Sequence, residues 1–250
     1  MKAKTILKTI LVVFLGCASV LAGIQMYHID YKYRQANTEA KKPNVEDTEI
    51  FKKIEEVLPT VATKDVAGKG DLSAKYNTAS LTAKKTTGWL FIPETNVDYP
   101  IMHGDNTYYL NRTWDDKASA SGAIFLDQNC NGFAPVSMIH GHNMANGSMF
   151  ATIQVFYNNG TLKDEDIIYV FDGTTERKYK IFSAFRTSPD IQIKLSLTAG
   201  TDIKKYAQQL KDKSHSISSY EVTESPILVL NTCCSDGTGE HFLVVGQEIQ

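Results

Sequence analysis

The sequence is short of the features that mark several large functional classes. Acidic and basic residues nearly cancel, leaving a formal net charge of -2 over 250 residues. Arginine is scarce, present only as Arg34, Arg112, Arg177 and Arg186, and no long basic run follows the N-terminal region. A nucleic-acid partner needs clustered cations, so none is indicated. Four cysteines, at positions 17, 130, 233 and 234, are too few and too unevenly spaced for a disulfide scaffold. There is no internal repeat and no coiled-coil heptad. Gly141, Gly147, Gly237 and Gly239 follow no phosphate-cradling pattern.

What is present begins with an apolar run. Lys2, Lys4 and Lys8 precede the stretch from Thr9 to Ile24. With Ile6, Leu7 and Met26 it reaches the lower edge of spanning length. Residues 1–26 read as a membrane anchor, and the basic flank orients the N-terminus inside and the bulk of the chain on the extracellular side. A cleaved signal peptide and lipid attachment at Cys17 are the alternatives. Residues 27–46 are polar and read as a juxtamembrane stalk, leaving 47–250 as the extracellular domain. Nothing in the sequence calls for more than a monomer.

Within that domain, Ile50, Phe51, Ile54, Val57 and Leu58 recur at helical spacing before Pro59. A short helix is expected near Leu72 to Tyr76. Short strands follow at 89–92, 96–101, 123–126 and 136–140. Two more, at 167–171 and 179–185, flank the turn-forming Asp172-Gly173 and predict a hairpin. Ile191, Ile193, Leu195 and Leu197 alternate as one face of a strand. Ile203, Tyr206, Ala207 and Leu210 line one side of a helix. The last strands are 227–230 and 242–245. Many short strands, few helices and no βαβ alternation predict a mostly β domain, closed or partly closed as a barrel.

Two clusters carry reactive groups. One is His140-Gly141-His142-Asn143, at the end of a strand; the other is Asn231-Thr232-Cys233-Cys234, at the end of another. A thiol attacks a carbonyl as a thiolate, and a nearby imidazolium both favours the thiolate and returns a proton to a leaving amine. Cys233 with His142 is therefore a candidate catalytic pair. The same residues permit other readings. His140 and His142 with Cys233 and Cys234 make a nitrogen and sulfur set that zinc accepts. Cys233 and Cys234 could close a strained disulfide. Ser148 or Ser235, with His142 and Asp127 or Asp236, would make a serine triad without a nucleophile elbow.

At these clusters, and at Gly88 to Pro93, Val97 to Ile101, Asp105-Asn106, Tyr108 to Leu110 and Gly122 to Asp127, the chain resembles the class B sortases, Gram-positive cysteine transpeptidases. The resemblance runs from about Gly88 to Val245. It implies an eight-stranded β-barrel with N-terminal helices and a helix before the penultimate strand. It implies that Cys233 attacks the Thr carbonyl of a C-terminal sorting motif on a secreted protein. The resulting acyl-enzyme passes to an amine of peptidoglycan or its precursor, with His142 as acid and base and with no metal or organic cofactor. Thr232, Asn143 and Asn231 would contact substrate. Where the family places an Arg at the start of the last strand, this chain has His241, with Arg186, after the Tyr179 to Phe185 strand, the stand-in among the remaining arginines. An imperfect His241 leaves open a second reading, a catalytically weak relative that binds peptides at the surface. Other departures are His140 where an aromatic is usual, Asn231 where Ser is common, Arg112 where His is common, and Lys84 to Thr87 in place of the usual lead-in.

Overall fold

The computed structural model describes residues 66–250 apart from 134, 199 and 235. The anchor, the stalk and the helix expected near residue 54 lie outside this range. Among the described residues no helix is long and apolar enough to cross a membrane.

Eight strands close into one barrel: β1 (Thr86–Phe91), β2 (Asp98–His103), β3 (Ile124–Leu126), β4 (Val136–His140), β5 (Ile167–Phe171), β6 (Glu176–Thr187), β7 (Ile227–Cys233) and β8 (His241–Ile249). Their order around the barrel is β1-β2-β3-β4-β7-β8-β6-β5. Two neighbouring pairs are parallel, β2 with β3 and β4 with β7; the others are antiparallel. Closure leaves no strand edge exposed within the barrel, which removes the pairing hazard of an open sheet.

Alternation along each strand divides the apolar residues between two cores. Leu228 and Leu230 of β7 and Phe242 and Val244 of β8 join Leu90, Ile101, Ile124 and Phe150 in the main core. Ile227, Val229, Leu243 and Val245 face outward with Phe182 and Phe185. Helix α4 (Gly200–Lys211) covers that outer face with Ile203, Tyr206, Ala207 and Leu210. These are the four residues whose helical spacing stands out in the sequence, and the helix precedes β7, the penultimate strand.

The strand expected from Ile191 to Leu197 does not form; residues 188–198 run as loop and turns. Its apolar side chains still pack against the α4 cluster. The physical reason is topological. Both edges of β6 are already paired, with β5 and with β8, so no ladder partner remains. Burial alone explains the alternation.

Two local devices match their sequence signals. The β5–β6 hairpin turns at Asp172-Gly173, where Asp172 Oδ1 accepts from the backbone N–H groups of Thr174 and Thr175 and Gly173 takes φ +91. Helix α1 (Leu72–Thr82) begins at Asp71, whose carboxylate accepts from Ser73 N and Ala74 N. It runs beyond the expected Tyr76 and docks Leu72 and Ala79 against Trp89, Phe91 and Tyr169. Two further short helices, α2 (Asn106–Tyr109) and α3 (Val155–Asn158), lie in connections, the latter preceded by a 3-10 turn at Ala151–Gln154.

Candidate active site

The parallel pairing of β4 with β7 is what assembles the site. Parallel strands end at the same end of a sheet, and here His140 stands opposite Asn231. The Gly-His loop after β4 and the thiol at the end of β7 are thus brought together across about ninety residues of chain. Two hydrogen bonds tie the segments: Gly141 N–H donates to Asn231 O at 3.1 Å, and Asn143 Nδ2 donates to Cys233 O at 2.9 Å. Gly141 is required by space. A Cβ there would lie 2.4 Å from Ile124 Cδ1 and 2.8 Å from the Phe150 ring.

His142 Nε2 lies 2.8 Å from the carbonyl oxygen of Leu110. A carbonyl only accepts, so Nε2 carries the hydrogen and the neutral ring leaves Nδ1 bare. The loop that offers Leu110 O approaches closely because of Gly122, at φ +60. A Cβ at that position would meet Tyr109 O at 2.5 Å, Leu110 O at 2.9 Å and His142 Cδ2 at 3.1 Å. On the far side of the loop, Met149 holds a positive φ of 56, an uncommon backbone for a residue with a side chain, and its N–H donates to Tyr99 Oη.

Cys233 is exposed and reduced, as are Cys130 and Cys234 in oxidation state; no disulfide joins the adjacent pair. Cys233 Sγ lies 3.9 Å from Nε2 of His241, its partner across the β7–β8 ladder. Burial holds His241 below the usual histidine range, and the nearby His140 adds to the effect. Near neutral pH it is therefore a neutral ring with a single donor.

Cys234, the first residue after β7, packs against the main core, whereas Cys233 is exposed. Cys234 lines a cavity of about 90 Å³ with Arg186, Tyr157 and Phe242. Burial pushes its thiol up, with Arg186 opposing. Arg186 does not face the Cys233 thiol as a free cation. Its Nη2 meets Asp236 Oδ2 and Glu240 Oε2, each at 2.6 Å, and donates to Thr238 Oγ1 at 3.1 Å. Its charge is balanced by the turn between β7 and β8.

The remaining candidates fall as follows. Asn143 reaches Cys233 O. Asn231 shares a sheet face with Cys233. Thr232 is buried on the opposite face, 3 % exposed, and its Oγ1 has no partner among the described residues. The zinc set is not assembled: both ring nitrogens of His140 are engaged, by Asp127 and Asn231, and no metal-holding group of three or more such residues occurs among the described residues. The serine triad is not assembled either. Ser148 Oγ donates to Asn146 Oδ1, and Asp127 is engaged by His140 and Asn106, while Ser235 lies outside the described residues. Sequence reasoning missed the Leu110 carbonyl, a backbone group without a side-chain signal. It also missed the acids around Arg186, for which the carboxylates on both flanks of Gly237 and Gly239 were the available clue.

A family model for the sortase domain matches residues 90–249. The chain is 32% identical to sortase B of Listeria monocytogenes over 181 residues, covering 69% of this chain and 74% of that one. Among solved structures it is similar to sortase B of Clostridium perfringens, with TM-score 0.63, 26% identity, and coverage of 70% of this chain and 99% of that one. It is also similar to the solved sortase B of Listeria monocytogenes, with TM-score 0.57, 28% identity, and coverage of 66% and 94%. With a matching domain over most of its length and a barrel of the same architecture, the chain belongs to the sortase family of cysteine transpeptidases, in class B.

Proposed function

We propose that this chain is a membrane-anchored extracellular transpeptidase that cleaves a C-terminal sorting motif after Thr and transfers the acyl group to an amine of peptidoglycan or its precursor. The observation that carries the reading is the split between the two cysteines. Cys233 stands exposed at the end of β7 with His241 beside it and the His142 loop bonded to its carbonyl. Cys234 is turned away into a cavity, with its thiol disfavoured as a thiolate.

In this mechanism the Cys233 thiolate adds to the Thr carbonyl. The C–N bond breaks as protonated His142 gives its Nδ1 proton to the departing amine, leaving a thioester. The incoming amine then loses a proton to Nδ1 as it displaces the thiol. The Nε2–H to Leu110 O bond keeps the ring oriented for both transfers. His241 contributes one neutral donor to the developing oxyanion, where loss of a full donor elsewhere costs about 3–4 kcal/mol. Asn143 and Asn231 hold the substrate side of the loop and strand, and Thr232 supports them from the barrel side.

One observation favours the second reading, a weak enzyme that mainly binds surface peptides. Arg186 is neutralised by two carboxylates and His241 is held uncharged, so the thiol has no fixed positive charge from either. A single experiment separates the two readings. The full-length chain is incubated with a quenched library of sorting-type peptides and an amine acceptor. Turnover is followed, and intact mass locates the adduct. Adduct and product that survive Cys234→Ala and vanish in Cys233→Ala support the transpeptidase. Tight peptide binding without adduct in the wild type supports the binding protein.

A further inference from the structure

Two positions at which the chain departs from its family, His140 and Asn231, touch each other. They stand opposite across the β4–β7 ladder, with His140 Nδ1 3.1 Å from Asn231 Nδ2. On the other side of the ring, Nε2 lies 2.8 Å from Asp127 Oδ2. Asp127 is buried and also accepts from Asn106 Nδ2 and from the backbone and side-chain N–H groups of Asn129. Burial opposes its ionisation, but the hydrogen bonds from His140, Asn129 and Asn106 outweigh burial and hold the carboxyl far below the usual range. The Phe125 ring stacks on the imidazole at 5.1 Å and 26°.

These contacts fix the polarity of the whole chain of groups. A carboxylate only accepts, so His140 Nε2 carries the hydrogen. Nδ1 of the neutral ring is then an acceptor and takes Nδ2–H of Asn231. The amide is thereby turned so that Oδ1 has no partner among the described residues, although Asn231 is only 8 % exposed. A buried acceptor without a partner costs on the order of 1–3 kcal/mol. The carbonyl of Asn231 accepts from Gly141, immediately before His142, and Cys233 is two residues further on the same sheet face.

We propose that Asp127, His140 and Asn231 form a relay behind the catalytic strand, in which His140 is a positioning residue whose tautomer sets the Asn231 amide and with it the end of β7 that presents Cys233. His140 does not touch the thiol and acts through Asn231. The proposal rests on the transpeptidase reading of Cys233.

The test has two readouts on the full-length chain. Nitrogen-15 NMR of the imidazoles at alkaline pH is expected to show His140 as the Nε2–H tautomer; the Nδ1–H tautomer overturns the relay. This readout does not require activity, so an inactive wild type would sink the transpeptidase reading and leave the relay decided by the tautomer. In the peptide assay, His140→Phe keeps the ring stack and removes both nitrogens. It is expected to lower kcat about 10-fold with KM within about 2-fold, a loss typical of slight misplacement of reacting groups. Asn231→Ser is expected to do the same, and the double variant to lose no more than either single one. Additive losses of about 100-fold in the double variant, a change confined to KM, or wild-type rates in the singles would each refute the proposal. If His140→Phe fails to fold, Asp127→Asn, which keeps the shape and removes the charge, is expected to lower kcat and change the tautomer; an unchanged tautomer and rate would refute the relay equally.

Discussion

Lys75 of α1 is buried as deeply as Asn231 and Thr232 at the end of β7, and its partner Asp98 on β2 is half-buried. Lys75 Nζ reaches both Asp98 oxygens and the carbonyl of Lys69, and Trp89 Nε1 donates to Asp98 Oδ1 at 2.8 Å. The charges are paired and the ring nitrogen is used. At the other site Asn231 Oδ1 and Thr232 Oγ1 have no partner among the described residues, and neither does Arg186 Nε. Native interiors leave few such groups, so their concentration around one strand end is informative. The α1 cluster fastens a helix to the barrel. The β7 end carries polar groups left unsatisfied among the described residues, as expected where geometry serves chemistry before stability.

The largest expected effect breaks the satisfied cluster. Asp98→Ala strands the buried ammonium of Lys75 and should cost about 3–5 kcal/mol, read by chemical denaturation. Cys233 alkylation rates in the folded fraction should stay unchanged, which keeps the two regions separate. Gly141→Ala strikes the other region. Overpacking against Ile124 and Phe150 should cost about 1–3 kcal/mol and depress peptide cleavage further than stability alone accounts for, because the loop carrying His142 must shift.

A smaller change sharpens the contrast. His241→Arg supplies the fixed charge that the β7 end lacks, and a cation within reach of a thiol favours the thiolate. Alkylation of Cys233 near neutral pH should become faster, with turnover preserved or raised. A large loss of turnover would assign His241 a role that Arg cannot fill. The smallest effect concerns acid stability. His241 is held below its unfolded value of about 6.5, so the unfolded chain binds the proton more readily and stability from this group falls as pH drops below that value. His241→Gln should flatten the wild-type loss of stability on mild acidification, measured by denaturation at several pH values between neutrality and pH 5.

Much of the barrel is legible in the sequence because each strand is short, apolar and bounded by turn residues. The hairpin at Asp172-Gly173 and the α4 face of Ile203, Tyr206, Ala207 and Leu210 are written in local chemistry and reappear as such. Residues 191–197 show the limit. Alternation records which side chains meet the core, while a strand also needs an unpaired neighbour, and closure of the barrel leaves none for them. The site divides in the same way. Cys233 and the His142 loop stand out as reactive residue types at strand ends. The orientation of His142 depends on Leu110 O, and the neutralisation of Arg186 depends on Asp236 and Glu240. Those are spatial facts between segments far apart in the chain, and no single segment carries them.

The pairing of β4 with β7 also bears on when the thiol becomes useful during folding. Contacts that span some ninety residues form only after a large loss of chain entropy, so they come with completion of the barrel and not with early local structure. A nascent or partly unfolded chain carries its cysteine without the imidazole loops that would direct it. The meeting of the thiol with the imidazole loops is thus gated by global folding and waits until the sheet has closed.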